Sequence, residues 1–594
     1  MFLQSNKLTL ELSIKSIGVL LVVGLILLNF WMVSDFSGGH IRADHWRHFR
    51  QILIPVAEGE ADFRIFWANH HPNPMLHFYE ILIADPVFGY DLRLDGLVSF
   101  SLHVCIYLMI MWSVSSLLDQ GFRDSIVSFS GIIIGLYWFS IPTVITFGWT
   151  LVSLQSLGYI FGIIAIATVA KAAVRGFALK ETVVAALFCS LGIFLNFDYG
   201  ILFFVAVAGI LFILVTYNSC VSKIREKSPF FSLKGVNLNA LRFLIVYTAV
   251  ALLTIAFITV FLLTTYKNSA LTSDGITLKM LLEFIEGSAR SISSALIGEN
   301  VFRDFYKESP SVIRYIGVWV PSATYMLICF VAMVRLRFKA LPYLALAAYP
   351  VLFGLAVFLS REATDFSLYL SYPRYATNFR LGWIGAFVLA TQIVLSFDKV
   401  KFEEKHKIAV GVLLTVCMAV WSTHISYKAK EKFAYVELSA DRNELVLYMT
   451  GTDPVSDIRL DRAILGSARD YQDSLDFLVE NELNVFSPRY GQSDMLKDYK
   501  EGFAKTVDAP IVNFIISKTD DRAATCIELS EPIRALINYG TPGTKSRRAW
   551  INIRMNERRH AVLLVPGTSQ LPVYSENGKL ELCGVRGYNL VRSE

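Results

Sequence analysis

Residues 1–427 contain a series of apolar stretches, each between 13 and 25 residues long. A helix that crosses the hydrocarbon core of a bilayer needs about 20 mostly apolar residues. About eleven stretches meet or approach that length: 14–33, 97–118, 126–141, 151–170, 183–195, 201–217, 241–265, 315–334, 341–360, 381–396 and 408–427. The sequence therefore predicts an α-helical polytopic membrane protein with about 11 transmembrane helices.

The positive charges between these stretches indicate how the helices are oriented. If the N-terminus is cytoplasmic, the cytoplasmic loops carry Lys and Arg, whereas the short opposite loops 142–150 and 196–200 carry neither. Membrane proteins concentrate Lys and Arg on the cytoplasmic side. Merging either of the two shortest stretches with its neighbour would reverse this pattern in every later loop. We therefore expect two long outer loops, 34–96 and 266–314, and an outer C-terminal segment, 428–594.

The C-terminal segment differs in composition from the rest of the chain. Hydrophobic residues make up 54% of the whole chain and charged residues 18%, and the charged residues are denser after residue 427. The pattern predicts a transmembrane domain over 1–427 and a soluble, α/β or β-rich extracytoplasmic domain over 428–594. Within that domain it predicts a helix over 471–483, a strand beginning at 485–486, and strands over 511–516, 549–553, 561–565 and 579–583.

Charge and cysteine content limit the possible partners. The net charge of +5 is small and comes from the membrane part, so we expect no nucleic-acid partner. Five of the seven cysteines lie in or beside apolar helices, where Cys behaves as a small hydrophobic residue. Cys526 and Cys583 lie in the C-terminal segment, where an oxidising compartment permits a disulfide between them or leaves both as thiols. No Cys/His spacing typical of a zinc site occurs.

The first outer loop concentrates the polar residues that can perform chemistry. Asp44 begins an amphipathic stretch that ends near residue 57, and the apolar residues of this stretch recur at helical spacing. The pattern predicts a helix that lies in the membrane interface. A turn with the sequence His70-His71-Pro72-Asn73-Pro74 then leads into a second predicted helix over 74–84.

This arrangement resembles the GT-C superfamily of membrane glycosyltransferases. The resemblance rests on Asp44, on the turn over 70–74, and on Tyr372-Pro373-Arg374-Tyr375 just before a predicted span. It implies transfer of a sugar from a polyprenyl-phosphate carrier to a lipid-linked or cell-surface glycan, without a metal ion or other cofactor. It also implies that Asp44 is the catalytic base.

These residue types suit that chemistry. A carboxylate can accept the proton of an acceptor hydroxyl while the sugar carbon becomes cation-like. The planar donor fork of Arg374 can bind the carrier phosphate, and Tyr375 lies beside it. The alternatives remain open: Asp44 can instead cap a helix, and Arg374 and Tyr375 can instead anchor a span at the interface.

Other polar residues are weaker candidates. His45, His70, His71 and Asn73 are predicted to bind the substrate, and Asp198 either is the second acidic residue of the family or forms a turn. The five histidines at 45, 48, 70, 71 and 77 could hold a metal, although we predict none. Further candidates in the outer loops are Asp365, Arg361, Arg380, Arg290, Arg303 and Lys307. The loop 266–314 contains a predicted surface helix over 278–297 that could cover the lipid.

Three functions are compatible with this pattern. The first is a glycosyltransferase on the outer face of a bacterial inner membrane, with membrane lipid around it. The second is a transporter or flippase of a lipid-linked saccharide, which should carry charges within its spans. The third is a polysaccharide polymerase or ligase that uses Arg and His of the outer loops. Because polar residues gather in the outer loops and are sparse in the middles of the spans, we favour the first function.

Overall fold

The computed structural model describes residues 2–36, 41, 44–67, 73–117, 125–140, 157–226, 237–262, 278–360, 373–396, 404–452 and 472–488, together with eight strands between 511 and 593. Helices account for most of the described residues before 511. Each apolar stretch of the sequence overlaps one of these helices, because an apolar segment in lipid must satisfy its backbone polar groups internally.

The helices have the following bounds. The first are α1 (Phe2–Phe36), α2 (Asp44–His48), α3 (Ile54–Ala57), α4 (Pro74–Tyr79), α5 (Asp85–Phe88), α6 (Leu92–Leu117) and α7 (Ser125–Trp138). They are followed by α8 (Leu157–Val174), α9 (Leu179–Leu195), α10 (Phe197–Glu226), α11 (Leu238–Phe257), α12 (Leu278–Ile297), α13 (Glu299–Glu308), α14 (Ser311–Leu336), α15 (Leu341–Ser360), α16 (Pro373–Leu395), α17 (Glu404–Thr452) and α18 (Gln472–Glu480). Short π-helical segments cover Phe49–Leu53, Glu80–Ala84 and Ile258–Leu262, and 3₁₀ turns cover Phe63–Trp67, Arg337–Ala340 and Asn484–Phe486.

Several of these helices can cross a membrane. Within the described residues, six segments are long and apolar enough: Lys15–Ser34, Leu92–Val114, Phe197–Val221, Leu238–Leu262, Ser311–Phe358 and Ala409–Tyr427. Two shorter apolar helical segments cover Ser128–Trp138 and Tyr159–Val174. The protein is therefore a helical membrane protein, and the total of eleven crossings stays a prediction.

Contacts divide the chain into two compact units. Unit 1 comprises Met1–Val33, Asp62–Phe78 and Leu97–Lys432, and unit 2 comprises Ser34–Ala61, Tyr79–Gly96 and Phe433–Glu594. This division differs from the sequence prediction, which placed the whole first outer loop with the membrane helices. Most of that loop instead groups with the C-terminal segment.

In unit 1, α15 and α16 pack closely because a glycine lets their backbones approach each other. A Cβ atom at Gly385 would lie 2.8 Å from the carbonyl oxygen of Tyr343 and 3.0 Å from the backbone nitrogen of Ala347. Such distances leave no room for a side chain. Hydrogen bonds add specificity to the packing: Tyr325 Oη donates to the carbonyl of Ala347 at 2.6 Å, which joins α14 to α15.

An ion pair is buried in the core of unit 1. Arg380 of α16 donates from Nε and Nη2 to the two carboxylate oxygens of Glu299, at 3.1 and 3.3 Å. Its Nη1 donates to the hydroxyl and carbonyl of Ser140, and the guanidinium lies 5.7 Å from the ring centre of Tyr137. The side chains of Arg380 and Glu299 are 0% and 3% exposed. Arg380 therefore lies inside a helix and is paired, whereas the sequence placed it among the outer-loop candidates.

The last apolar helix continues well beyond the predicted span. α17 extends from Glu404 to Thr452, so the C-terminal segment begins as a continuation of this helix, and the boundary between the two units falls within the helix, between Lys432 and Phe433. Residues 428–450 contain no Pro or Gly and are rich in Ala, Glu, Lys and Leu. These residues favour helix, and nothing in the sequence ends the helix earlier.

Unit 2 contains the strands. They are β1 (Ile511–Lys518), β2 (Cys526–Leu529), β3 (Ile533–Tyr539), β4 (Arg547–Ile553), β5 (His560–Val562), β6 (Leu571–Glu576), β7 (Lys579–Cys583) and β8 (Tyr588–Ser593). They form two four-stranded sheets with the orders β4-β3-β1-β8 and β2-β7-β6-β5. β1 and β3 are parallel, and the other paired strands are antiparallel. Each of the strands predicted from 511 onward overlaps an observed strand, whereas the strand predicted at 485–486 is wrong, because Asn484–Phe486 is a 3₁₀ turn.

Asn484 attaches this part of the C-terminal segment to the first outer loop. Its backbone N–H donates to the carbonyl of Gly89 at 2.6 Å, and its side-chain Nδ2 donates to the carbonyl of Tyr90 at 2.5 Å. Its Oδ1 accepts from the backbone N–H of Ile41 at 3.4 Å. Asn484 has a left-handed backbone with φ of 54°, a conformation that Asn tolerates better than most residues.

Candidate active site

The two helices predicted for the first outer loop are present. Residues 44–57 are helical throughout as α2, a π-helical segment and α3, and residues 74–88 are helical as α4, a second π-helical segment and α5. The apolar face of the first helix is buried in protein: Trp46 and Phe49 are each 1% exposed. The Phe49 ring lies 4.6 Å from that of Tyr90 and 6.2 Å from that of Phe477. This face is therefore packed against protein, and the position of the helix relative to the membrane stays a prediction.

Five side chains of this loop form a buried polar group within unit 2, which we call the loop cluster. They are His48, Tyr79, Glu80, Tyr90 and Asp95. All five are buried; Tyr79 and Glu80 are consecutive, and the other three come from separate segments of the loop. The loop cluster thus contains an imidazole, two carboxyl groups and two phenols, all shielded from solvent.

His48 and Glu80 form one pair of the cluster. His48 Nδ1 lies 3.6 Å from Glu80 Oε2, and the two side chains are 6% and 5% exposed. A buried carboxylate next to an imidazole can exchange a proton with it, and the pair is an ion pair when His48 is protonated. The hydroxyl of Tyr90 donates to the backbone carbonyl of Glu80 at 3.4 Å.

Tyr79 and Asp95 form the second pair. The hydroxyl of Tyr79 donates to Asp95 Oδ1 at 2.7 Å, and both side chains are buried. Burial and the nearby Asp95 carboxylate together raise the pKa of Tyr79 well above its usual value. Burial likewise raises the pKa of Tyr90. Both phenols therefore stay protonated at neutral pH and act as hydrogen-bond donors.

The predicted catalytic residue lies on the same helix as His48. Asp44 is the first residue of α2 and His48 is the last. Positions four residues apart share one face of a helix, so positions 44 and 48 lie on the same face. The side chains of Asp44 and Arg374 lie outside the described residues, as do His70, His71, Arg361 and Asp365.

Two other predicted residues of the loop, His45 and Asn73, are buried, and their role as substrate ligands stays a prediction. His45 is 4% exposed and belongs to the buried face of α2. Asn73 is 2% exposed, and its Oδ1 accepts a hydrogen bond from the backbone N–H of Leu76 at 3.3 Å. Asn73 therefore caps α4, a role for which Asn is favoured.

Asp198 and Tyr375 belong to unit 1. Asp198 lies in the first turn of α10. The rings of Tyr199, the next residue, and of Tyr375 lie 6.1 and 5.6 Å from the ring of Phe353. Tyr199 and Tyr375 thus both pack against Phe353 in unit 1. Asp44 and His45 belong to unit 2.

Glu80, Tyr79 and Asp95 were not among the residues predicted from the sequence. A signal was present for Glu80, because it interrupts an otherwise apolar run over 78–84, and a carboxylate in such a segment is costly unless it has a partner. Asp95 follows Asp91 and Arg93 and does not stand out in the same way. The partners themselves could not be predicted, because they come from separate helices.

Comparisons with protein-family models and with curated protein sequences find no match to this chain.

Proposed function

We propose that this protein is a membrane glycosyltransferase of the GT-C type. It transfers a sugar from a polyprenyl-phosphate carrier to a lipid-linked or cell-surface glycan at the outer face of a bacterial inner membrane. In this proposal the chain has eleven spans and a cytoplasmic N-terminus, and its strand-rich C-terminal domain is periplasmic. Asp44 is the base, Arg374 and Tyr375 bind the carrier phosphate, and Asp198 is the second acidic residue.

The observation that supports this proposal best is the loop cluster. The helix that begins at Asp44 ends at His48, which is paired with the buried carboxylate of Glu80. A base at position 44 needs a route for the proton that it removes from the acceptor hydroxyl. An imidazole on the same helical face, next to a second carboxylate, provides an acceptor for that proton.

A transporter of lipid-linked saccharides is the second candidate, and two observations favour it. Asp95 lies in the candidate span Leu92–Val114, and it is buried and paired with Tyr79. The buried pair of Arg380 and Glu299 is a further intramembrane charge pair if α16 crosses the membrane. Ionisable residues inside spans often mark substrate or ion pathways.

A transfer assay with two matched variants separates these candidates. The full chain is purified in detergent and incubated with polyprenyl-phosphate sugars and extracted lipid-linked glycan. Asp44→Asn keeps the shape and the ability to cap a helix, but it cannot take a proton. Asp62→Asn is the control, because Asp62 belongs to the same loop and its side chain is 74% exposed.

We expect wild type and Asp62→Asn to transfer the sugar at equal rates and Asp44→Asn to be roughly a hundredfold slower or worse, the usual size of a general-base effect. Equal rates for all three proteins would exclude Asp44 as the base. An absence of transfer by wild type, combined with movement of a lipid-linked saccharide across liposome membranes, would favour the transporter.

A further inference from the structure

A cavity in unit 1 lies where α12, α13 and the beginning of α14 meet. Its volume is about 200 Å³. The residues that line it are Glu286, Arg290, Tyr306, Ser311, Arg314, Tyr315, Val318 and Trp319. Pockets for drug-sized ligands measure about 300–1,000 Å³, so this cavity is large enough for one small chemical group and too small for a whole oligosaccharide.

Two arginines are held against one aromatic ring in this cavity. The guanidinium carbon of Arg290 lies 4.5 Å from the ring centre of Tyr306, and that of Arg314 lies 5.6 Å from it. Arg290 also donates to Glu286 and to the hydroxyl of Tyr306, and its side chain is only 11% exposed. Stacking on an aromatic ring orients a guanidinium and leaves its edge available for hydrogen bonds.

Arg314 has the better placed donors. Its Nε donates to the carbonyl of Ser309 at 2.7 Å, which orients the side chain. Among the described residues, this is the only hydrogen bond made by the Arg314 side chain, so Nη1 and Nη2 remain as two donors at the cavity. A pair of parallel N–H donors matches two oxygens of a phosphate.

The net charge of the cavity indicates which anion fits. Its charged residues are Arg290, Arg314 and Glu286, which together give one net positive charge. A phosphodiester carries one negative charge and balances it, whereas a phosphomonoester carries more at neutral pH. An isolated buried charge is costly, so the match in charge matters.

The position of the cavity indicates that the phosphodiester belongs to a lipid. Arg314, Tyr315, Val318 and Trp319 belong to the first turns of the candidate span Ser311–Phe358. Tyr315 and Trp319 are 62% and 41% exposed. Exposed Tyr and Trp at the end of a span mark the depth of the lipid headgroups. The neighbouring helix α12 also exposes apolar residues, with Leu278 at 73% and Leu282 at 57%.

We propose that this cavity binds the phosphodiester group of a membrane lipid, with Arg314 as its principal ligand and Arg290 as the second cation. A glycerophospholipid and a polyprenyl-phosphate sugar both present this group. If the bound lipid is a glycerophospholipid, the site is independent of the proposed reaction. If the bound lipid is the sugar donor, the site rests on that proposed function.

Binding of defined lipids to the purified full chain tests the proposal. The probes are short-chain phosphatidylglycerol, a short-chain isoprenyl-phosphate sugar, the same diacylglycerol without phosphate, and inorganic phosphate. The variants are Arg314→Gln, Arg314→Lys, which keeps the charge but loses the planar fork, and Arg303→Gln. Arg303 is the matched control. It was a candidate in the sequence analysis, but it lies on α13, is exposed and does not line the cavity. Each variant is first checked for wild-type elution and thermal unfolding.

We expect at least one phosphodiester lipid to bind wild type and Arg303→Gln equally, and about tenfold or more weaker to Arg314→Gln, as the loss of a hydrogen bond to a charged group implies. Arg314→Lys should be intermediate, and it serves as the test if Arg314→Gln does not fold.

Equal losses in Arg314→Gln and Arg303→Gln would overturn the proposal, because they would indicate general attraction of anions. The proposal would also be overturned if the diacylglycerol without phosphate bound as tightly as the phosphodiester lipids. If inorganic phosphate bound as tightly as the lipid and this binding depended on Arg314, the site would bind phosphate but would not be specific for a lipid. Binding of phosphatidylglycerol alone would support the site and place the sugar donor elsewhere. Since no step here measures transfer, failure of this site and failure of the proposed reaction are distinguishable.

Discussion

Removal of the guanidinium group of Arg380 should destabilise unit 1 more than any substitution on its surface. Arg380→Met leaves the carboxylate of Glu299 buried, with its side chain only 3% exposed and without the two hydrogen bonds at 3.1 and 3.3 Å. Ser140 loses a donor at the same time. Breaking one partner of a buried ion pair costs about 3–5 kcal/mol. We expect a loss of this size in the free energy of unfolding.

The double variant Arg380→Met/Glu299→Leu distinguishes a stranded charge from lost packing. Replacing both partners with apolar residues is often close to neutral, so the double variant should recover most of the stability lost in Arg380→Met. The matching surface control is Lys279→Met, which breaks the exposed i,i+4 pair with Glu283, whose side chains are 87% and 42% exposed. Such exposed helix pairs contribute about 0.3–0.5 kcal/mol.

Reversible unfolding in mixed detergent micelles, followed by tryptophan fluorescence, measures these differences. A double-mutant cycle then gives the coupling energy between Arg380 and Glu299. A loss of stability in Arg380→Met no greater than that in Lys279→Met would contradict this prediction. Simple addition of the losses of Arg380→Met and Glu299→Leu in the double variant would contradict it as well, because the two side chains would then not depend on each other.

Three further predictions follow from particular contacts. Burial raises the pKa of Tyr79 above its usual value of 10.0, so above pH 10 the folded state keeps the phenolic proton while the unfolded state releases it. The free energy of unfolding should therefore fall above pH 10 by up to about 1.4 kcal/mol per pH unit for this group. Unfolding of Tyr79→Phe, measured as a function of pH, should show a smaller fall. The antiparallel register places Cys526 opposite Cys583 in β2 and β7, so we expect a disulfide between them. Under denaturing conditions these two cysteines should react with maleimide only after reduction. Reaction of both without reductant would contradict the prediction. Asn73→Ala removes the cap of α4 and should cost about 1 kcal/mol, whereas Asn73→Asp should keep nearly full stability in the same unfolding assay.

The helices of this protein could be predicted from local sequence. The amphipathic pattern of residues 278–297 predicted a surface helix, and α12 has those bounds. The helix predicted over 471–483 corresponds to α18, and the strands predicted from 511 onward overlap observed ones. Local patterns suffice here because a helix or strand buries one face at a fixed period, so its own residues carry the signal.

The pairings within the candidate sites were decided only by the tertiary structure. Glu80 meets His48 across 32 positions of sequence, and Glu299 meets Arg380 across 81. Asn484 joins the backbone of Gly89 and Tyr90 although it lies nearly 400 residues further along the chain. The turn at Asn484–Phe486 looked like a strand because apolar residues follow one another there, but the hydrogen bonds of Asn484 required a left-handed residue.

Local sequence was thus enough to predict that this chain forms apolar helices followed by a strand-rich C-terminal segment. The tertiary structure was needed to show which charges face each other and that Arg380 is a buried, paired ion. It was also needed to show that most of the loop over 34–96 groups with the C-terminal segment. The physical reason is that periodicity reports which face of an element is buried, whereas the partner of a buried charge depends on which elements pack together.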